Sequence, residues 1–355
     1  MNKRFISVAC FLFACVVHAD TTLRELYSVE QSQWPAIMTA KETPAAPLKP
    51  LKAKPFNQSD EIIALGEKLF NDTRLSRDNT VSCASCHESR LAFTDRRKLA
   101  VGIDGQVGTR NTQAIIGIDH WQTFFWDGRA KTATEQALMP IENPKEMDSS
   151  IQQSLDKVNA AADYRAPIFA AFGNQTMSKE QMAIAIVAFE RTFDIPESLF
   201  TRFIDKAQTN PSEAVALLND QQLEGLHLFR TKAKCMTCHE GALLSDNEFH
   251  VTGLHFYGRK LQDLGRFDAT QDPADIGKFR TPSLLALKQS TPWMHTGLFQ
   301  GLAGVVNFYN AGGARPKPKG KYKDDPNYPQ TTELLHKLEL SKDEKNALIA
   351  FLETL

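Results

Sequence analysis

Two pentapeptides, Cys83-Ala84-Ser85-Cys86-His87 and Cys235-Met236-Thr237-Cys238-His239, share the pattern Cys-x-x-Cys-His and restrict the fold more than any other feature of the 355 residues. Two thiols three positions apart, with an imidazole on the next residue, fit on one tight turn. Such a turn presents both sulfurs to the vinyl groups of a haem and sets the histidine beneath the iron as axial ligand. A zinc ribbon lacks the following histidine, and redox dithiols of the thioredoxin type do not come in pairs. The motifs therefore predict two covalently bound haem c groups, one on Cys83, Cys86 and His87 and one on Cys235, Cys238 and His239.

Cysteine usage supports this. Of six cysteines, Cys10 and Cys15 lie in an N-terminal leader pattern and the other four are all in the two motifs, which leaves none for a structural disulfide. The leader is Asn2-Lys3-Arg4, an apolar run from Phe5 to Val17, and small residues before Asp20. It predicts a secretory signal over residues 1–19 and a periplasmic location. A lipobox reading with Cys15 as the lipidated residue fits the pattern less well, and the run is too short to span a bilayer. Nothing later in the chain is apolar enough to span.

Without Lys3 and Arg4, basic residues fall from 41 to 39 against 42 acidic ones, so the mature chain is near −3. No basic excess points to nucleic acid. The basic stretch from Arg315 to Lys323 reads first as a solvated loop and second as a docking surface.

Around the motifs the chain repeats itself. Gly66-Glu67-Lys68-Leu69-Phe70 precedes the first as Gly225-Leu226-His227-Leu228-Phe229 precedes the second. Both segments are helical in pattern, with Ser59 and Asp220 as expected N-caps. Downstream, Arg110-Asn111-Thr112 matches Arg280-Thr281-Pro282, and Phe125-Trp126-Asp127-Gly128 matches Met294-His295-Thr296-Gly297. Fourteen residues on from Trp126 is Pro140, and fourteen on from His295 is Tyr309. Capping boxes at Ser178/Gln181 and Ser341/Glu344 open two further helices, expected over 178–193 and onward to Leu355. No run alternates as a strand. The expected fold is mainly α, two cytochrome c-like haem domains related by internal duplication, over residues 20–200 and 201–355.

The face of each iron opposite its histidine decides what that haem does, because an open face admits peroxide and a filled one favours electron transfer. For the second haem, Met294, His295, His250, His255 and Tyr309 are all candidates on spacing.

Several segments carry a closer likeness: the two motifs, Phe125-Trp126-Asp127-Gly128-Arg129, Pro140 to Met147, Phe279-Arg280-Thr281-Pro282, and Thr291 to Tyr309. Through them nearly the whole mature chain resembles the bacterial di-haem cytochrome c peroxidase family, and within it the MauG-like branch. The resemblance implies that Tyr309 ligates the second iron where the peroxidases use methionine. The repeat register independently sets Tyr309 opposite one iron and Pro140, which has no side-chain donor, opposite the other. A histidine that closes the first haem in the peroxidases is replaced here by Ile103. By the same likeness Glu146 and Pro140 shape the distal pocket of the first haem, Glu146 as acid/base for O–O cleavage. The resemblance also implies that Trp126 lies between the haems and relays electrons. By the same resemblance, Asn111, Ser290 and Pro292 fall where the family binds an inter-domain Ca2+, the latter two through main-chain carbonyls.

Two positions depart from the MauG pattern. Ala233 stands where a surface tryptophan is expected, and His295-Thr296-Gly297 where the family has His-Asp-Gly. The implied activity is peroxide-dependent oxidation, with a periplasmic substrate or electron-donor protein as partner. The alternatives are an ordinary cytochrome c peroxidase fed by a small cytochrome or cupredoxin, and a non-enzymatic di-haem electron-transfer cytochrome.

Overall fold

Helix signals recur at the start of each structured stretch in the computed structural model, which describes residues 21–52 and 54–355. The leader, its cleavage site and Cys15 lie outside the described residues. Twelve α-helices form among the described residues: α1 Leu23–Tyr27, α2 Asp60–Asn71, α3 Ala133–Glu142, α4 Ile151–Ala160, α5 Ala162–Phe172, α6 Lys179–Glu190, α7 Leu199–Ala207, α8 Pro211–Leu217, α9 Asp220–Arg230, α10 Phe267–Thr270, α11 Leu302–Asn310 and α12 Lys342–Leu352. The one sheet among the described residues is an antiparallel pair, β1 Phe249–His250 and β2 Phe279–Arg280, with Phe249 opposite Arg280. None of these helices is long and apolar enough to cross a membrane.

Caps set the helix starts. Ser59 accepts the Ile62 N–H at the start of α2, and the capping boxes at Ser178 and Ser341 open α6 and α12. At α9 the cap is Asn219 rather than the expected Asp220. Its carboxamide oxygen accepts the Gln222 N–H at 2.8 Å, and Asp220 becomes the first helical residue, where a carboxylate favours the positive end of the helix. Helix α6 stops at Glu190, short of Phe193, and α12 stops at Leu352, with Leu355 buried just beyond it.

The duplication is visible in packing. Gly66 on α2 lies against α6, where an added Cβ would stand 1.9 Å from the Ala185 carbonyl oxygen; Gly225 on α9 lies against α12, 2.0 Å from that of Ala347. The helix capped by Ser178 is thus the closing helix of the first unit, as α12 is of the second. Around the first crossing, Leu65, Leu69, Ile141, Tyr164 and Ile186 form one core. Around the second, Phe200, Phe203, Leu226, Phe229, Leu348 and Phe351 form another. Each such side chain contributes roughly 1.5–3 kcal/mol of burial free energy.

The chain before α2 joins the second core, although a sequence division at residue 200 assigns it to the first unit. Tyr27, Trp34 and Leu48 are buried in that core. Tyr27 Oη lies 3.1 Å from His227 Nδ1 and accepts from Arg230 at 3.0 Å, and Lys41 pairs with Asp246 at 2.7 Å. Between the units, main-chain bonds run both ways: Asn111 N–H to the His295 carbonyl at 2.7 Å and Arg280 N–H to the Trp126 carbonyl at 2.8 Å. Arg110 adds a buried clamp, forked onto Asp263 at 2.8 and 2.7 Å and bonded to Asp127.

Helix propensity alone would make Gly66→Ala and Gly225→Ala stabilising by about 0.5–1 kcal/mol. The backbone contacts reverse the sign: each should destabilise by about 1–3 kcal/mol in denaturant unfolding. Gly108→Ala, whose Cβ would meet its nearest neighbour at an ordinary 3.4 Å, should change stability by less than about 0.5 kcal/mol. Stabilisation by either helical variant would contradict this account of the crossings.

Candidate functional site

Each motif folds as a single turn of 3-10 helix, Cys83–Ser85 and Cys235–Thr237. The Cys83 carbonyl accepts from Cys86 and His87 N–H at 3.1 and 3.0 Å, and the Cys235 carbonyl from Cys238 and His239 at 3.2 and 2.9 Å. His87 Nδ1 lies 2.8 Å from the Phe93 carbonyl oxygen, and His239 Nδ1 lies 3.0 Å from that of Leu244. A carbonyl only accepts, so Nδ1 carries the proton in both rings and Nε2 keeps its lone pair. An imidazole fixed in this way is set to bind a metal through Nε2. Phe93 and Leu244 hold their carbonyls in place from left-handed backbone, φ 57° and 52°, at a cost of about 1–3 kcal/mol each.

The four motif cysteines are free thiols. Burial pushes Cys83 and Cys235 up to about 12 and Cys86 to about 11, so these sulfurs stay protonated until they react. Burial also lowers both imidazole pKa values, which favours the neutral, ligating form.

The first cavity, about 440 Å³, is lined by Cys83 and His87 on one side and by Gln136, Pro140 and Glu146 among others. Pro140 and Gln136 are one turn apart on α3 and share a face. Glu146 is half-buried and accepts from Asn143 Nδ2 at 2.6 Å. Burial raises its pKa, against the opposing pull of Arg129 and Asn143. Ile103 is fully buried and donates its N–H to the Glu146 carbonyl at 2.9 Å, so it supports the Glu146 loop and is not among the residues lining the cavity. Glu190, at the end of α6, also lines this cavity; it is 4% exposed, its Oε2 has no partner, and burial alone pushes it up to about 8.

The second cavity is apolar and narrower, about 140 Å³ on one side of the motif and about 130 Å³ on the other. Leu285, Val306 and Leu352 line one side, Leu335 the other, and His239, Met294 and Tyr309 line both. His250 and His295 reach only the second side, and His255 lines neither. Tyr309 stands near the end of α11 as Pro140 stands near the end of α3. Burial raises its pKa, and Cys238 and Cys235 add to the shift. The phenol therefore stays neutral unless a cation lies beside it.

The loops that join the cavities are built alike. Phe125 and Met294 both take positive φ, 67° and 71°, and the bridges Phe124 to Ala130 and Trp293 to Phe299 close equivalent turns. This sets Trp126 and His295 edge to face, with ring centroids 6.3 Å apart. Trp126 is buried, donates Nε1–H to the Asn111 carbonyl at 2.9 Å and lines both cavities. Asn111 also lines both, and Ser290 and Pro292 join it at the second.

Arg280 supplies a test of fit for the haems. Its guanidinium is 4% exposed, stacks 3.6 Å over Trp121 and faces both cavities, yet one of its terminal nitrogens has no partner. A buried cation left unpaired is costly, and the propionates of a haem are the anions such a place suits. With two thiols, a directed imidazole and this guanidinium, the residues present fit the group. Sequence reasoning missed Gln136, Glu190 and Arg280. Gln136 was findable from its four-residue spacing to Pro140, whereas Glu190 and Arg280 reach the site only through tertiary packing.

Comparison with known proteins agrees with the geometry. A family model described as di-haem cytochrome c peroxidase matches residues 60–209. Over 342 residues the chain is 32% identical to the cytochrome-c peroxidase IdrP1 of Pseudomonas sp. strain SCT, covering 88% of this chain and 85% of that protein. It is 34% identical to the methylamine utilization protein MauG of Methylorubrum extorquens over 308 residues, 86% of this chain and 80% of that one. Among solved structures it is similar to a MauG-like protein associated with microbial copper homeostasis, with TM-score 0.72, 30% identity, and coverage of 89% of this chain and 94% of that one.

Because both thiol pairs face cavities and none is in a disulfide, intact-mass analysis of the protein should give the polypeptide plus two haems, retained after acid extraction. A mass with one haem, or with bound zinc, would contradict the assignment of the motifs.

Proposed function

The chain belongs to the di-haem cytochrome c peroxidase family, and from that premise we propose that it is a periplasmic, MauG-like oxidoreductase that uses hydrogen peroxide to oxidise a partner protein. The observation that carries this reading is the exchange at one structural position. Pro140 on α3 and Tyr309 on α11 occupy corresponding places, each facing its own cavity, while Ile103 lies behind the Glu146 loop. Relatives carry both the peroxidase and the MauG names, and this exchange is what favours the second.

When bound, the two haems supply the iron and porphyrin electrons that peroxide withdraws. The protein's own residues do the rest. Pro140 offers no donor atom and leaves space beside Gln136 and Glu146 for peroxide. Glu146, as carboxylate, takes the proton from the near peroxide oxygen and returns it to the far oxygen, which leaves as water. Asn143 holds the carboxylate in place, and Arg129 stabilises its charge. Tyr309 fills the face of the second cavity opposite His239, so that unit exchanges electrons rather than binding peroxide. Trp126, in contact with both cavities, carries electrons between them.

Supporting assignments follow the same reading. Asn111, through its side chain, and Ser290 and Pro292, through carbonyl oxygens, hold Ca2+ beside the contact between units, an all-oxygen set that suits this ion. The two haem domains divide near residue 200, with the segment before α2 packed on the second of them, and the leader pattern supports a periplasmic location.

If Glu146 acts first as a base, activity is lost as pH falls through its raised pKa, above the usual carboxylate range. In stopped-flow measurements of the peroxide reaction, Glu146→Gln should slow the reaction roughly 10²- to 10⁴-fold and abolish that acid limb. An unchanged rate and pH profile would leave Glu146 a loop carboxylate and overturn the mechanism.

A further inference from the structure

Half of the chain's six tyrosines gather in one place outside both cavities. Ring centroids of Tyr257 lie 5.5 Å from Tyr322 and 5.6 Å from Tyr328. His255, 1% exposed, packs behind them, 5.9 Å from Tyr328 and 6.4 Å from Tyr257. Inward, His255 abuts Gly277, two residues before Phe279; Phe279 stacks on His295 at 3.6 Å, and His295 meets Trp126 edge to face at 6.3 Å. Aromatic rings and one short stretch of backbone thus lead from the residue between the cavities to the half-exposed Tyr257 and Tyr322. None of the reactions assigned above uses the three tyrosines.

Chemistry separates this cluster from ordinary packing. Removing one electron from a phenol makes it a strong acid, so the oxidation proceeds when a base takes the proton. Tyr257 Oη donates to Asp325 Oδ2 at 2.9 Å, which provides that base. Tyr322 sits in the stretch bearing Lys317, Lys319, Lys321 and Lys323, and the Lys321 ammonium lies 5.0 Å from its ring centroid. A positively charged rim favours an anionic reductant. Ala233, where a surface tryptophan would provide another exit, is 4% exposed and has no oxidisable side chain.

We propose that Tyr257, Tyr322 and Tyr328 form a surface one-electron oxidation site, through which oxidising equivalents from peroxide reach an anionic reductant at the lysine-rich loop. The proposal rests on the peroxide reaction above. An electron leaves Tyr257 toward Trp126 and its phenolic proton passes to Asp325. Two such events provide two electrons, and these, with one peroxide and two protons taken up from solvent, give two waters. The reductant then returns an electron to each tyrosyl radical, and Asp325 returns the proton.

The test is freeze-quench electron paramagnetic resonance of the di-haem protein after peroxide addition, with haem absorbance followed in parallel and ferrocyanide as the anionic reductant. The wild type should give a radical signal that narrows when tyrosine is ring-deuterated. Tyr257→Phe, which keeps the packing area, should abolish the signal and slow ferrocyanide oxidation roughly tenfold or more, while haem absorbance responds to peroxide at the wild-type rate. Asp325→Asn, which retains all three rings, should lower the radical yield in the same way. A normal haem response with no tyrosine radical, or with radical and ferrocyanide turnover intact in Tyr257→Phe, overturns the oxidation site alone. No haem response in the wild type contradicts the peroxide reading itself, and the site falls with it.

Discussion

The hydrogen bond from each motif histidine to a main-chain carbonyl governs the rest of the molecule. His87 to Phe93 and His239 to Leu244 fix which nitrogen is free and where it points. Each cavity lined by one of these histidines is lined as well by the end of a helix, α3 with Pro140 in one unit and α11 with Tyr309 in the other. The left-handed backbone at Phe93 and Leu244 is the conformational cost of holding those carbonyls. Phe193, past the end of α6, stacks on Phe93 with a centroid separation of 3.5 Å and supports that turn from behind.

Duplication followed by divergence explains how one scaffold holds two unlike sites. The crossings at Gly66 and Gly225, the turns at Phe125 and Met294 and the motif turns are common to both units. What differs is the lining. The first cavity gathers Gln136, Glu146 and Glu190, whereas the second is walled by leucine and valine with one phenol. On the proposed reading, polar groups that manage protons suit peroxide chemistry in the first cavity, and an apolar wall suits electron passage in the second. Trp126 and His295, equivalent in the repeat, meet at the boundary, so the contact between units is also an aromatic contact.

Much of this was legible in the sequence because it is local or periodic. The motifs name their own chemistry, the Ser59, Ser178 and Ser341 caps follow from side chains a few residues from the bonds they make, and the register from Trp126 to Pro140 and from His295 to Tyr309 survives as simple counting. What escaped is non-local. Nothing near Glu190 in sequence says that the end of α6 reaches the first cavity, and nothing near Arg280 says that its guanidinium faces both. The crossing of residues 23–51 to the second core depends on Tyr27 meeting His227 and Arg230, some two hundred positions away. At α9, two adjacent residues able to cap were distinguishable only by which side chain reached the Gln222 N–H.

The central claim is that the second unit is closed by Tyr309 and the first left open at Pro140. The most direct measurement is paramagnetic resonance and near-infrared spectroscopy of the ferric protein, wild type against Tyr309→Phe. The account predicts one high-spin and one low-spin haem in the wild type, with no methionine-ligation band. In the variant, which loses the oxygen but keeps most of the packing, the low-spin signal should change spin state or take on the signature of a neighbour such as Met294. A methionine band already present in the wild type, or a variant spectrum identical to it, would contradict the account.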